Sequence, residues 1–263
     1  AGQNVTTGNT NTFIGWQSGN AVTDTSNKVA VGYRAGYADG GEMDVHIGYE
    51  AGRNVTAGDN ISIGRSAGQG YHGVGQTEFQ SNTTNRYNVS IGSYAGQRAI
   101  GTNSVNVGYQ AGWYATGSNN TFLGSQAGKG GNSSAPYSSG QYNVAIGAQT
   151  LQNFTTAASN VVVGYNSGND ITTGGQNTIL GYDAGDVITT GISNVLVGYA
   201  AGGNLTSDSS QNVIIGESAG AQGSVALDGT ILIGRLAGYA INSSDADGTI
   251  AIGYSAGQNI TSG

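Results

Sequence analysis

An aliphatic residue followed by glycine recurs fourteen times along this 263-residue chain, with the glycine at 15, 32, 48, 64, 92, 108, 124, 147, 164, 181, 198, 216, 234 and 253. Copies follow one another at 16 to 19 residues, except for gaps of 28 after Gly64 and 23 after Gly124. A unit this short cannot bury a core by itself. It has to stack on its neighbours, which is the logic of a solenoid. With the glycine numbered zero, position +4 is Gly in every copy but one, where Leu151 stands. Position +3 is Ala in eleven copies, and −4 is Asn in nine, as at Asn143, Asn160, Asn177, Asn194 and Asn212.

The side-chain period within each unit is two, the period of a strand. Position −3 is always Val, Ile or Thr, −1 is always Ile, Val or Leu, and +1 is aromatic in eight copies, including Trp16, Tyr33, Tyr165, Tyr182 and Tyr199. The alternation predicts that −3, −1 and +1 fill the inside of the coil. They would be met from across by a shorter apolar column at +7 (Val22, Val55, Phe154, Ile171, Ile188, Leu205). Glycines would interrupt nearly every helix, so the expected fold is all-β. It is a parallel β-solenoid or two-strand β-roll of about fourteen coils, with the Asn column forming a ladder at the turns. The whole of 1–263 reads as one repeat domain, with insertion loops at about 69–87 and 129–142.

The other alternate face raises the question of assembly. Position −2 runs Val162, Ile179, Leu196, Ile214 and Leu232 in the C-terminal half, beside the bare column that contains Gly198. Five stacked aliphatics facing water would make an apolar stripe of the kind monomers avoid. These residues are therefore the candidate face between subunits, the alternative being that the stripe packs under the chain's own second layer. In the N-terminal half the column is more polar, with Ala30, His46, Ser62, Ser90 and Asn106.

Composition removes several classes of function. A net charge of −7 with no basic stripe argues against nucleic acid as a partner, and no apolar run is long enough for a membrane helix. Cysteine is absent and histidine occurs only at 46 and 72, which excludes His/Cys metal clusters and thiol nucleophiles. The carboxylates, among them Asp170, Asp183 and Asp186, are scattered through turns. No catalytic residue, cofactor or metal is expected.

The pattern N-x-x-I-G-x-x-A-G, as in NVSIGSYAG and NVIIGESAG, resembles the head repeats of trimeric autotransporter adhesins and the Gly/Asn/Thr-rich repeats of bacteriophage tail fibres. That resemblance implies a left-handed parallel β-roll, assembled as a homotrimer and displayed outside a cell or on a virion. Ala1 and Ala256 stand at the same phase of the repeat, in AGQNVTTG and AGQNITSG, so the expectation is a segment of a longer fibre.

The insertions are the more promising places for recognition, because loops emerging from a solenoid often carry its binding face, the alternative being that they only brace neighbouring subunits. Tyr71, His72, Phe79 and Arg86 in the first, with Tyr137 and Tyr142 in the second, are the candidate receptor contacts, suited to a surface glycan. Two other functions are weighed. A rank of threonines at +8 (Thr6, Thr23, Thr56, Thr116, Thr155, Thr172, Thr189, Thr206 and Thr261) raises ice binding, although the rank is broken and lacks a Thr-x-Thr array. Stacked carboxylate pairs raise polysaccharide cleavage, but no clustered polar constellation supports it.

Overall fold

A computed structural model describes every residue except 56, 71–84, 132–136, 207, 223–224, 244–245 and 262–263. The three residues ahead of each glycine, the first always β-branched and the third always aliphatic, form a strand. In the first compact unit, Ala1–Gln126, these are β1 (Thr12–Ile14), β2 (Val29–Val31), β3 (Val45–Ile47), β4 (Ile61–Ile63), β5 (Val89–Ile91), β6 (Val105–Val107) and β7 (Thr121–Leu123). In the second, Ala127–Gly263, they are β8 (Val144–Ile146), β9 (Val161–Val163), β10 (Thr178–Leu180), β11 (Val195–Val197), β12 (Val213–Ile215), β13 (Ile231–Ile233) and β14 (Ile250–Ile252). Within each unit the strands pair in parallel and in chain order. Like positions lie side by side: Val162, Ile179, Leu196, Ile214 and Leu232 form one row across β9–β13. The protein is an all-β parallel solenoid. Among the described residues no helix is long and apolar enough to cross a membrane.

Each strand ends at its glycine because the backbone there leaves the extended region. Gly198 has φ +138, and a Cβ placed on it would lie 2.6 Å from the carbonyl oxygen of Gly216 in the next coil. The glycine column therefore lets a chain lie close upon itself, coil on coil, rather than admitting a neighbouring chain. Two residues later the backbone is left-handed in every copy, for example Arg34 (φ 51), Asp183 (φ 49) and Ala200 (φ 50). These reversals turn the chain so that the rest of the coil bonds to the next through single backbone rungs, such as Gly185 N to Ala201 O (3.0 Å) and Thr172 N to Thr189 O (2.8 Å). The +7 column lies in this bonded but irregular part. Among the described residues the second strand of a two-strand roll does not form there.

The parity of the strand reading holds, and its sign is reversed. Val162, Ile179, Leu196, Ile214 and Leu232 are fully buried within their own coils, together with the +3 alanines (Ala184, Ala201, Ala219) and the +7 residues Ile171, Ile188 and Leu205. The stripe assigned above to contacts between subunits is the core, so these side chains and Gly198 are withdrawn as an intersubunit face. The +4 glycine explains the geometry. A Cβ on Gly202 would sit 3.0 Å from Leu205 Cδ1 and 3.2 Å from Leu196 Cδ2, so −2, +4 and +7 converge in a narrow interior. Where +4 is instead the buried Leu151, the −2 residue of that coil is Ala145, and the large and small residues have exchanged places.

The asparagine ladder forms as expected in the second unit. Asn160 Nδ2 donates to Asn143 Oδ1 (3.0 Å), Asn177 to Asn160 (3.1 Å), Asn194 to Asn177 (3.0 Å) and Asn212 to Asn194 (3.0 Å). Each Oδ1 also accepts the backbone N–H of the next Asn, and each Nδ2 reaches a turn carbonyl, as Asn194 does to Ser209 O (2.8 Å). Buried turn groups that no sheet ladder reaches are satisfied in this way.

Candidate functional site

With −2 inside, positions −3, −1 and +1 face outward. Along each unit −3 and −1 form a mainly aliphatic row, flanked at +1 by short runs of aromatic rings. Ile47, Ile91 and Leu123 are exposed in the first unit, and Val161, Leu180 (44% exposed) and Ile215 in the second. At +1 the rings stack one coil upon the next. Trp16 and Tyr33 have centroids 5.0 Å apart and Tyr33 and Tyr49 4.9 Å; in the second unit Tyr165 and Tyr182 are 5.2 Å apart and Tyr182 and Tyr199 5.3 Å. Since the rings cover one another's faces, each ladder offers edges and hydroxyls to its surroundings. Arg34 lies over Trp16 and Tyr33 and donates to Gln17 Oε1 (2.7 Å), which ties this edge of the first unit together.

The insertion residues are placed only in part. Tyr71, His72 and Phe79 lie outside the described residues. Arg86 is exposed in the first unit, while in the second Tyr137 is half-buried and Tyr142 is 61% exposed. Tyr142 shares its geometry with Tyr87, which was not among the candidates. Both occupy −5 at φ 59, each at the point where an insertion rejoins the coil, and Tyr87 is 56% exposed. The signal was present in the sequence, since tyrosine closes both insertions at one phase of the repeat.

Several described members of the threonine rank have their hydroxyls engaged, while Thr56 lies outside the described residues. Thr6 Oγ1 donates to Thr23 O (3.0 Å), Thr155 to Thr172 O (2.9 Å) and Thr172 to Thr189 O (3.1 Å). These rungs reinforce the coil stack and leave fewer free donors for an ice lattice. Among the turn carboxylates, Asp170 accepts from Asn153 (3.0 Å) and Asp183 from Asn166 (2.9 Å), and Asp186 is pushed up to about 6 by burial and by the charge of Asp183.

A charged group inside the first unit was missed at the sequence level. Lys28 and Asp44 take the −4 place of the asparagine ladder in adjacent coils, Asp39 takes an apolar +7 place, and His46 takes a −2 place; all four are buried. Lys28 Nζ lies 2.8 Å from Asp39 Oδ2 and 4.0 Å from Asp44 Oδ2, and His46 Nε2 lies 3.1 Å from Asp39 Oδ2. Asp39, Asp44 and His46 bring ligand-type atoms within 4.8 Å of one another. The Lys28 ammonium, however, already stands among them as a cation, in contact with Asp39. The clue in the sequence was a pair of opposite charges replacing asparagine in consecutive copies.

Comparison of the chain with protein-family models, with curated proteins and with solved structures finds no match in any of the three.

Proposed function

We propose that this chain is a segment of an extracellular structural and adhesive fibre, of the tail-fibre or surface-adhesin kind. It assembles with copies of itself as a homotrimer and attaches to a glycan-bearing surface. The observation that carries the reading is the outward row of stacked aliphatic side chains. In both units it runs coil after coil at one phase, bordered by the aromatic ladders. A row of this extent in water is the mark of an interaction surface. Copies of one chain, sharing one coil spacing, can match it rung for rung. Rotational symmetry lets three such faces close on a common axis and leave no apolar row outside. The resemblance of the N-x-x-I-G-x-x-A-G unit to trimeric fibre repeats points the same way.

Sedimentation and light scattering of the purified chain test the assembly, with a mass of three chains expected. A stable monomer at micromolar concentration overturns it. Binding of the assembled protein to a glycan array and to cells tests attachment. Arg86, Tyr87, Tyr137 and Tyr142 are the described residues whose substitution by alanine is expected to weaken it. Absence of binding to either removes the adhesive half of the proposal.

A further inference from the structure

The buried group at Lys28, Asp39, Asp44 and His46 has a charge balance that its surroundings cannot correct. With both carboxylates ionised and the imidazole neutral, the single ammonium leaves one negative charge in excess inside the coil. With one proton retained, the excess vanishes. Apart from His46 itself, no described side chain nearby offers a further cation. The ladder neighbours are neutral Asn11 on one side and neutral Asn60 on the other. Asp24 and Glu42 are exposed in turns and Asp59 is partly so, while Arg34, Glu50 and Arg53 pair with one another on the outer surface. Asp39 is fully engaged, by Lys28 Nζ, by His46 Nε2 and by Gly41 N (3.0 Å). Asp44 is not. Its Oδ1 accepts from Asn60 N (2.8 Å), whereas its Oδ2 is buried without a hydrogen-bond partner.

We propose that these four residues are a proton-dependent clasp, which holds the second, third and fourth coils of the first unit together when Asp44 carries its proton and loosens them when that proton leaves. The clasp is a property of the single chain and does not depend on the fibre reading. Its bistability comes from the fold. Asp44 stands where most coils place an asparagine, so a protonated Asp44 keeps that place neutral, and an ionised one adds a charge that Lys28, nearer to Asp39, does not fully balance.

Burial first, and then the charge of Asp39, push Asp44 from the ordinary 3.8 up to about 7. Burial also pushes Asp39 up, but its His46 hydrogen bond and the charges of His46 and Lys28 outweigh that and hold it below the usual range. The direction of the effect follows. Between about 4 and about 7 the folded clasp keeps a proton on Asp44 that an open chain has lost. Opening of the clasp is therefore facilitated as pH rises through that window, by up to about tenfold per unit, and levels off above it. Asp39 acts in the opposite sense and only in more acid solution, where its stabilisation is lost as pH falls below the ordinary carboxylate value.

Hydrogen exchange of the full chain, read by mass spectrometry from pH 5 to 8.5 and corrected for intrinsic rates, tests this. The opening constant of residues 28–60 is expected to rise on the order of a hundredfold between pH 5 and 7, while residues 88–122, which hold no carboxylate or histidine, do not follow. In Asp44→Asn, which restores the ladder residue and removes the titration, residues 28–60 should become independent of pH. The carboxyl 13C shift of Asp44 in the folded wild type gives the titration directly, even if the variant folds poorly. A midpoint near 3.8, or the same pH profile in both segments or in both proteins, overturns the proposal.

Discussion

Gly198 and Gly202 differ in what excludes a side chain from them. At Gly198 the obstacle is backbone: the Gly216 carbonyl oxygen cannot move without breaking the coil stack. At Gly202, φ +61 is a region that L-residues enter at a cost of about 1–2 kcal/mol, and the nearest atoms are the flexible ends of Leu205 and Leu196. Gly198→Ala is therefore expected to destabilise the chain by about 3 kcal/mol or more, and Gly202→Ala by about half that, in chemical denaturation. Asn194 gives a second test at this scale. Its Oδ1 accepts from both Asn212 N and Asn212 Nδ2, and its Nδ2 donates to Asn177 and Ser209. Alanine there leaves buried donors and acceptors unpaired on both neighbouring coils. A loss of about 2–4 kcal/mol is expected, against under 1 for alanine at an exposed +8 threonine. Both columns were legible in the sequence, because a residue that only one geometry tolerates repeats wherever that geometry repeats. Why the glycine repeats was not legible, since the carbonyl it avoids belongs to the adjacent coil.

One coil shows why alternation fixes two faces without saying which is inside. In β9 all three residues are valine, and in β11 Val195, Leu196 and Val197 are equally apolar, so hydrophobicity cannot choose. In the first unit it chooses wrongly. Ser62, Ser90 and Asn106 are buried at −2 while Ile61, Ile91 and Val105 are exposed. What decides is space. The −2 side chain occupies the volume that the +4 glycine leaves open, and the coil is too narrow to take the −3 and −1 side chains as well. The exchange of Leu151 for glycine opposite Ala145 was the one trace of this contact in the sequence. Leu196→Lys should therefore unfold the second unit's coils, since the charge cannot be solvated in that interior. Leu180→Lys, one coil away on the outward row, should keep the circular dichroism of the wild type and lose self-association. If the two substitutions behave alike, the assignment of faces fails.

At the scale of the whole molecule, two forces bear on assembly and they oppose each other. Each chain carries a formal net charge of −7, so copies brought together repel. The outward rows that would meet are aliphatic and aromatic, and their burial contributes roughly 25 cal/mol for each Å² removed from water. Salt distinguishes this arrangement from one held by ion pairs. At 0.5 M the Debye length is only about 4 Å, so repulsion between chains is screened while apolar burial is undiminished. Sedimentation equilibrium at 20 mM and at 500 mM sodium chloride should therefore show self-association tightening as salt is raised. An interface built on ion pairs such as Arg235 with Glu217 (3.3 Å), which lie on the outward +1 column and are more than half exposed, would weaken instead. The +1 column makes the comparison sharp, because it passes from stacked Tyr165, Tyr182 and Tyr199 to charged Glu217 and Arg235 within one unit. Replacing Glu217 and Arg235 together by tyrosine extends the ladder and removes the only charges from that column of the unit. It leaves the net charge unchanged, so it should strengthen association while the tightening with salt persists. Weaker association in the double variant would mean that the charged pair, and not the apolar row, holds the copies together.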